Sequence, residues 1–208
     1  MSSTRGRLVL SIPEPVWNAL LNAFATAPAE HERVAYLDGF RYRGPTGALN
    51  GVATTVTVPD AVTSPGNYTV SPMAMAQAGE HFDVLGMVRL AQVHTHGDRW
   101  VGHSTMDDQR AYNQRDGALS FVLPHHAVGR PTPWQAGVHL REPAGWRRLT
   151  GDEINNVVRL VPGLIDHRST SWNASLTGTK ATYAVDSNRS ARSGRWPWRW
   201  SWRRARRV

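Results

Sequence analysis

Two histidines separated by one residue, His94-Thr95-His96, are followed by Gly97-Asp98-Arg99-Trp100-Val101-Gly102-His103 and then by Ser104-Thr105-Met106-Asp107. If His94 and His96 close a β-strand, their side chains point to the same side of the sheet, because the strand repeat is two residues. A helix starting at Ser104 puts Ser104 and Asp107 about one turn apart, so both can face one point. Two imidazoles and one carboxylate are the ligand chemistry of a zinc site that keeps a fourth position open for water, as catalytic rather than structural sites do. The chain has no cysteine. Thiolate metal sites, disulfides and a cysteine nucleophile are therefore excluded, and nitrogen and oxygen donors remain.

The elements that must position these residues can be read around them. Leu85 to Val93 is an apolar run that ends at the histidines, and Ser104 to Asp116 reads as a helix with Ser104 as N-cap and Asp107 at the capping-box position. Upstream, Leu8 to Ile12 reads as a strand. A helix from Ser11 or Pro13 follows, with Val16, Leu20 and Phe24 on one face, and it ends at Ala27-Pro28. Glu32 to Tyr42 and Gly51 to Val58 are strands joined by the Gly44-Pro45-Thr46-Gly47 turn. Pro59 to Gly66 reads as a loop, and a second helix from Ser71 or Pro72 is expected to end near Gly79. Ala118 to Leu123 is a strand, and Trp134 to Leu140 with Trp146 to Leu149 forms a hairpin. The fold class is therefore α/β in the broad sense (α+β): a mixed central β-sheet flanked by helices.

The spacing H-x-H-x7-S-x2-D, which this segment matches at every position, resembles the motif of the JAB/MPN (JAMM) zinc metalloproteases. The resemblance extends over roughly residues 8 to 165, and Glu32 with Gly39 seven residues later resembles the glutamate strand of that family. It departs at Gly97, where the family has proline, and around Ala35 and Asp38, where family members are more apolar or glycine-rich. The resemblance implies a cytidine-deaminase-like MPN fold. His94, His96 and Asp107 would hold one Zn2+ with its water, Glu32 would be general base and Ser104 would support the oxyanion. It implies an isopeptidase or peptidase that cuts after the C-terminal glycine of a ubiquitin-like modifier. Such an enzyme acts on the modifier or its conjugate, alongside activating and conjugating enzymes, as in prokaryotic operons of which some serve antiviral defence.

Other readings of the same residues can be weighed. A metallo-β-lactamase-like site needs H-x-H-x-D-H, and Arg99 stands where its further histidine belongs; an amidohydrolase barrel needs a much longer chain. Glu30 rivals Glu32 as the acid before the strand, and the spacing to Gly39 favours Glu32. His103 reads as a loop residue, His81, His125, His126 and His139 as surface or packing residues, and Asp108 as a first-turn acid favoured by the helix dipole. Alternatives for the whole chain are a JAB-type peptidase for small or cell-wall peptides, a scaffold subunit of the MPN type, and a binding protein acting through its tail.

The formal charge of +8 belongs to that tail. Residues 189 to 208 hold eight arginines and no acid, so subtracting eight leaves residues 1 to 188 formally neutral. Composition shifts near Ser169, which divides the chain into a metalloprotease domain at 1–168 and a Ser/Arg/Trp-rich basic extension at 169–208, expected to be flexible. Its alternating tryptophans and arginines suit weak contact with nucleic acid or an anionic membrane surface. No run of apolar residues is long enough to span a membrane, and the start lacks a signal-peptide pattern, so a cytoplasmic location is expected.

Overall fold

The computed structural model describes residues 8–26, 30–45 and 47–163. The expected domain boundary at 168/169 and the whole Arg/Trp extension lie outside the described residues. The fold is mixed α+β: a large mixed β-sheet with a few helices and one detached hairpin. The elements are β1 (Val9–Pro13), α1 (Glu14–Ala25), β2 (Val34–Arg43), β3 (Leu49–Thr57), β4 (Ala61–Ser64), β5 (Asn67–Val70), α2 (Pro72–Leu85), β6 (Val88–Thr95), α3 (Thr105–Arg110), β7 (Leu119–Leu123), β8 (Gly137–Glu142), β9 (Gly145–Arg148), α4 (Gly151–Val157) and β10 (Val158–Val161). Eight strands form one sheet in the order β10-β1-β3-β2-β6-β7-β8-β9, while β4 and β5 pair only with each other. Among the described residues no helix is long and apolar enough to cross a membrane.

β6 sits mid-sheet, antiparallel to β2 and parallel to β7, with Val34 opposite His94 and His94 opposite Val122. Residues 89 to 95 are all buried, so both faces of the strand are covered, which is why it reads as an apolar run rather than as alternation. Ala91 and Val93 join the core cluster with Leu10, Leu20, Phe24 and Phe121. α1 contributes Trp17, Leu20, Leu21 and Phe24 to that core. The Trp17 ring lies 5.9 Å from Phe121, and its indole N–H donates to the Pro131 carbonyl at 3.0 Å.

Several local expectations are corrected. α2 does not stop at Gly79 but runs to Leu85, and Gly86, in the left-handed region at φ 64°, caps it while the Met87 N–H reaches back to the Phe82 carbonyl at 3.0 Å. A glycine inside a helix costs only about 1 kcal/mol, whereas a left-handed cap position favours glycine strongly. α3 ends at Arg110 instead of continuing to Asp116. The expected Pro59–Gly66 loop is the first half of a hairpin, turning at Gly66 with φ 78°. α4 and β10 were not anticipated; β10 adds parallel to β1 at the sheet edge.

The other side of β6 carries a buried ion pair. Arg89 donates to both carboxylate oxygens of Asp38, at 3.0 and 3.4 Å, and its guanidinium lies 3.5 Å from the Tyr36 ring centroid and 4.5 Å from that of Tyr112. Asp38 is wholly buried. Asp38→Ala would strand this cation in an aromatic box, and removing one partner of a buried pair costs about 3–5 kcal/mol. Urea unfolding of the variant is expected to show that loss; a midpoint unchanged from wild type would contradict it.

Candidate metal centre

The carboxyl end of β6 is where the sheet switches from an antiparallel to a parallel neighbour, a place where α/β sheets open a crevice. His94 is the penultimate residue of β6 and is fully buried; His96 lies one step beyond the strand, its N–H still bonded to the Leu123 carbonyl of β7 at 2.9 Å. The polypeptide then loops through Asp98, whose carboxylate accepts from the Trp100 N–H at 2.8 Å, and enters α3. Ser104 caps that helix. Its Oγ accepts from the Asp107 N–H at 3.1 Å, while Asp107 Oδ2 accepts from the Ser104 N–H at 2.7 Å and from the Ser104 hydroxyl at 2.8 Å. This capping box turns the Asp107 carboxylate back towards the strand end.

Asp107 Oδ1 lies 3.3 Å from His94 Nε2, and Oδ2 lies 3.5 Å from His96 Nε2. One donor atom from each residue falls within 4.8 Å of the others, and all three residues are buried. These separations exceed the ~2.7–2.9 Å of a charge-assisted hydrogen bond. Each is measured to a different carboxylate oxygen, so Asp107 spans the two imidazoles and presents one oxygen to each. His94 Nε2 is buried and meets no well-formed hydrogen bond. His96 Nδ1 donates to the Trp100 carbonyl at 3.0 Å, which leaves the Nε2 lone pair facing Asp107. The group His94–His96–Asp107 could thus hold a metal ion, and the residues fit one.

Electrostatics treat the two imidazoles differently. Burial lowers the pKa of His94 despite Asp107, so its imidazole is neutral and free to bind. Burial also acts to lower His96, but Asp107, Glu32 and the Trp100 carbonyl outweigh it and its pKa is raised. Burial pushes Asp107 up; the two imidazoles and the Ser104 N–H more than offset this and hold it well below the usual carboxylate range.

From Val34 to Leu37 the antiparallel register of β2 against β6 pairs positions that sum to 128, as Val34 with His94, so its extension past Val34 sets Glu32 opposite His96. Two bonds secure that extension: Thr95 N–H to the Arg33 carbonyl and Arg33 N–H to Thr95 Oγ1, both at 3.0 Å. Glu32 is buried, and its pKa is raised by burial, opposed by His96 and reinforced by Asp107 and Asp98. Glu30, two residues further out, is exposed. Both acids line one cleft of about 350 Å³ with His96, Trp100, Ser104, Asp107, and Asn67 of the hairpin tip. Ser104 has one O–H, and here it is committed to Asp107. As N-cap it acts through its oxygen, which accepts from the Asp107 N–H; an oxyanion needs its proton, so that role requires the hydroxyl to turn.

His103 is no idle loop residue. Its Nδ1–H donates to Asp108 at 2.9 Å, its Nε2 accepts from the Ser120 hydroxyl at 3.0 Å, and its ring stacks on His139 at 3.8 Å. The order Asp108–His103–Ser120 has the form of a hydrolytic triad, but Ser120 is wholly buried on β7 and no substrate can reach it. The network instead braces α3 against β7, and Asp108 serves it rather than the helix dipole alone. His139 is buried, as a packing residue would be, and burial pushes its pKa down to about 3, with His103 and His94 adding to the shift. Nothing in the sequence links residues 103, 120 and 139, because the β7–β8 register creates their contact.

No family model matches the chain, and no curated protein matches it. Among solved structures it is similar to the solution structure of protein DSY2949 from Desulfitobacterium hafniense, with a TM-score of 0.56 and 16% identity over 76% of this chain and 97% of that one. At that identity the likeness carries the fold alone.

Proposed function

We propose that this chain is a zinc-dependent peptidase of the JAB/MPN type, with the corresponding MPN fold, cutting an amide after the C-terminal glycine of a ubiquitin-like protein, as a conjugate or a linear fusion, in the cytoplasm. The observation that carries the reading is the meeting of two buried imidazoles and a buried carboxylate, with donor atoms within 4.8 Å of one another, beside a buried glutamate opposite His96. Zinc would be held by His94, His96 and Asp107 and, when bound, would supply Lewis acidity and lower the pKa of a bound water to about 7.

Glu32 takes the proton of the attacking water on its carboxylate and delivers it to the leaving amine. Its burial favours that exchange, because a carboxylate with a raised pKa is a stronger base and accepts a proton more readily than an ordinary one. Ser104 turns its hydroxyl from Asp107 towards the developing oxyanion. The β4–β5 hairpin supports an extended substrate: it stands apart from the main sheet, the Ser64 carbonyl holds the Glu32 N–H at 3.1 Å, and its tip borders the cleft. A modifier's C-terminal tail would add to its free edge as a strand.

The test is cleavage of a ubiquitin-like fusion with a Gly-Gly junction. Turnover is expected to vanish with a chelator and return with zinc. Cleavage indifferent to chelation, or purified protein that takes up no divalent metal, sinks the reading. Cleavage of short peptides but never of the fusion moves the substrate to the small-peptide class.

A further inference from the structure

The turn after β7 has three consecutive residues with side chains in the left-handed region: His125, His126 and Ala127, at φ 51°, 53° and 64°. This backbone is costly for any residue bearing a Cβ, and glycine at these positions would relieve it. Non-glycine residues held this way cluster where function over-determines the geometry. The surroundings impose it here. His125 N–H donates to the Asp98 carbonyl at 2.8 Å and His126 N–H to the His96 carbonyl at 2.7 Å, while Arg33 Nη1 donates to the His126 carbonyl at 3.3 Å. The turn is therefore fastened to both the segment that carries His96 and the segment that carries Glu32.

The consequence is the position of one side chain. The His126 imidazole lines the same cleft as Glu32, His96, Trp100 and Ser104. Its Nδ1 is buried without a well-formed hydrogen bond, and the ring has the His31 backbone, Arg33, Glu30 and His125 as polar neighbours. Its Nε2 lies against Gly97: a Cβ built on residue 97 would be 2.9 Å from it. That is closer than carbon and nitrogen pack. Glycine at 97, the position where the chain departs from the JAB/MPN proline, leaves the imidazole its place.

We propose that His126 is a substrate-binding residue of this cleft, its imidazole Nε2 hydrogen-bonding the main chain of a peptide segment bound across the metal centre. With Nδ1 buried, Nε2 is the ring nitrogen left to meet the peptide, and it can give to a backbone C=O or accept from a backbone N–H according to the tautomer. The inference rests on the peptidase reading of the site, and it names a contact that reading does not require.

The test is equilibrium binding of a fluorescein-labelled peptide ending in Gly-Gly to the full-length, zinc-loaded protein, beside zinc stoichiometry and turnover of the fusion. His126→Ala keeps a Cβ and so adds no new backbone demand. Gly97→Ala keeps the imidazole but pushes it aside. Each is expected to weaken peptide binding about 3- to 10-fold, the loss of one neutral hydrogen bond, with zinc stoichiometry unchanged. The double variant is expected to bind no more weakly than His126→Ala, since both changes remove one contact. His126→Asn, which tolerates the left-handed backbone and keeps a donor and an acceptor, is expected to recover part of the loss. Wild-type affinity in both single variants overturns the role, whatever the turnover. Loss of zinc from His126→Ala, or a fully additive double variant, overturns it in favour of a structural part. Wild-type protein that binds no such peptide overturns it as well. Peptide binding that responds to His126 without any cleavage upholds it and sinks the peptidase reading alone.

Discussion

Asp107→Ala is expected to release the metal and abolish chelator-sensitive cleavage. The carboxylate sits 3.3 and 3.5 Å from the two imidazole nitrogens, and no further acid joins that group among the described residues. Losing an outer-shell partner already lowers metal affinity about 10- to 100-fold, so loss of a ligand should exceed that. Competition with a chromophoric chelator measures it directly. Zinc should also stabilise wild-type protein, by about 2.7 kcal/mol at a hundredfold excess over its dissociation constant, and should do so far less in the variant. Asp107→Asn separates ligation from capping: an amide oxygen can still accept from the Ser104 N–H and hydroxyl, so α3 should keep its start while the metal is weakened. Unaltered zinc affinity in both variants would remove Asp107 from the centre.

Glu32→Gln should leave zinc bound and lower kcat by about 10²- to 10⁴-fold, the range for loss of a general base. The expectation rests on position: Glu32 faces His96 through the extended β2–β6 register and is buried, with its pKa raised by burial against the pull of His96. Glu30→Gln is the control. Glu30 borders the same cleft from an exposed position, and its loss should change kcat little. If Glu30→Gln stops turnover and Glu32→Gln does not, the base is Glu30.

Much of the candidate centre was legible before any fold was known, because its logic is local. His94 and His96 are related by the two-residue strand repeat, and Ser104 and Asp107 by one helical turn inside a capping box; such relations survive whatever the rest of the chain does. The absence of cysteine and the charge confined to residues 189–208 are properties of composition and need no coordinates. Errors fell where a local signal has two outcomes. Gly79 and Gly86 both look like helix stops, and only the left-handed backbone at 86 distinguishes them. Pro59 to Gly66 looks like a loop because a short exposed hairpin lacks apolar alternation on a buried face.

What the chain by itself determined is the ligand chemistry: which side chains can share one metal, with nitrogen and oxygen donors only. What tertiary structure alone decided is what surrounds them. The β2–β6 register chose Glu32 over Glu30 as the acid facing His96, the β7–β8 pairing stacked His103 on His139, and a left-handed turn brought His126 onto Gly97. These partners are separated by 29 to 64 residues (126 − 97 = 29; 96 − 32 = 64). Helical and strand periodicity relate neighbours a few positions apart, whereas contacts at such separations exist only once the sheet has set its strand order and register.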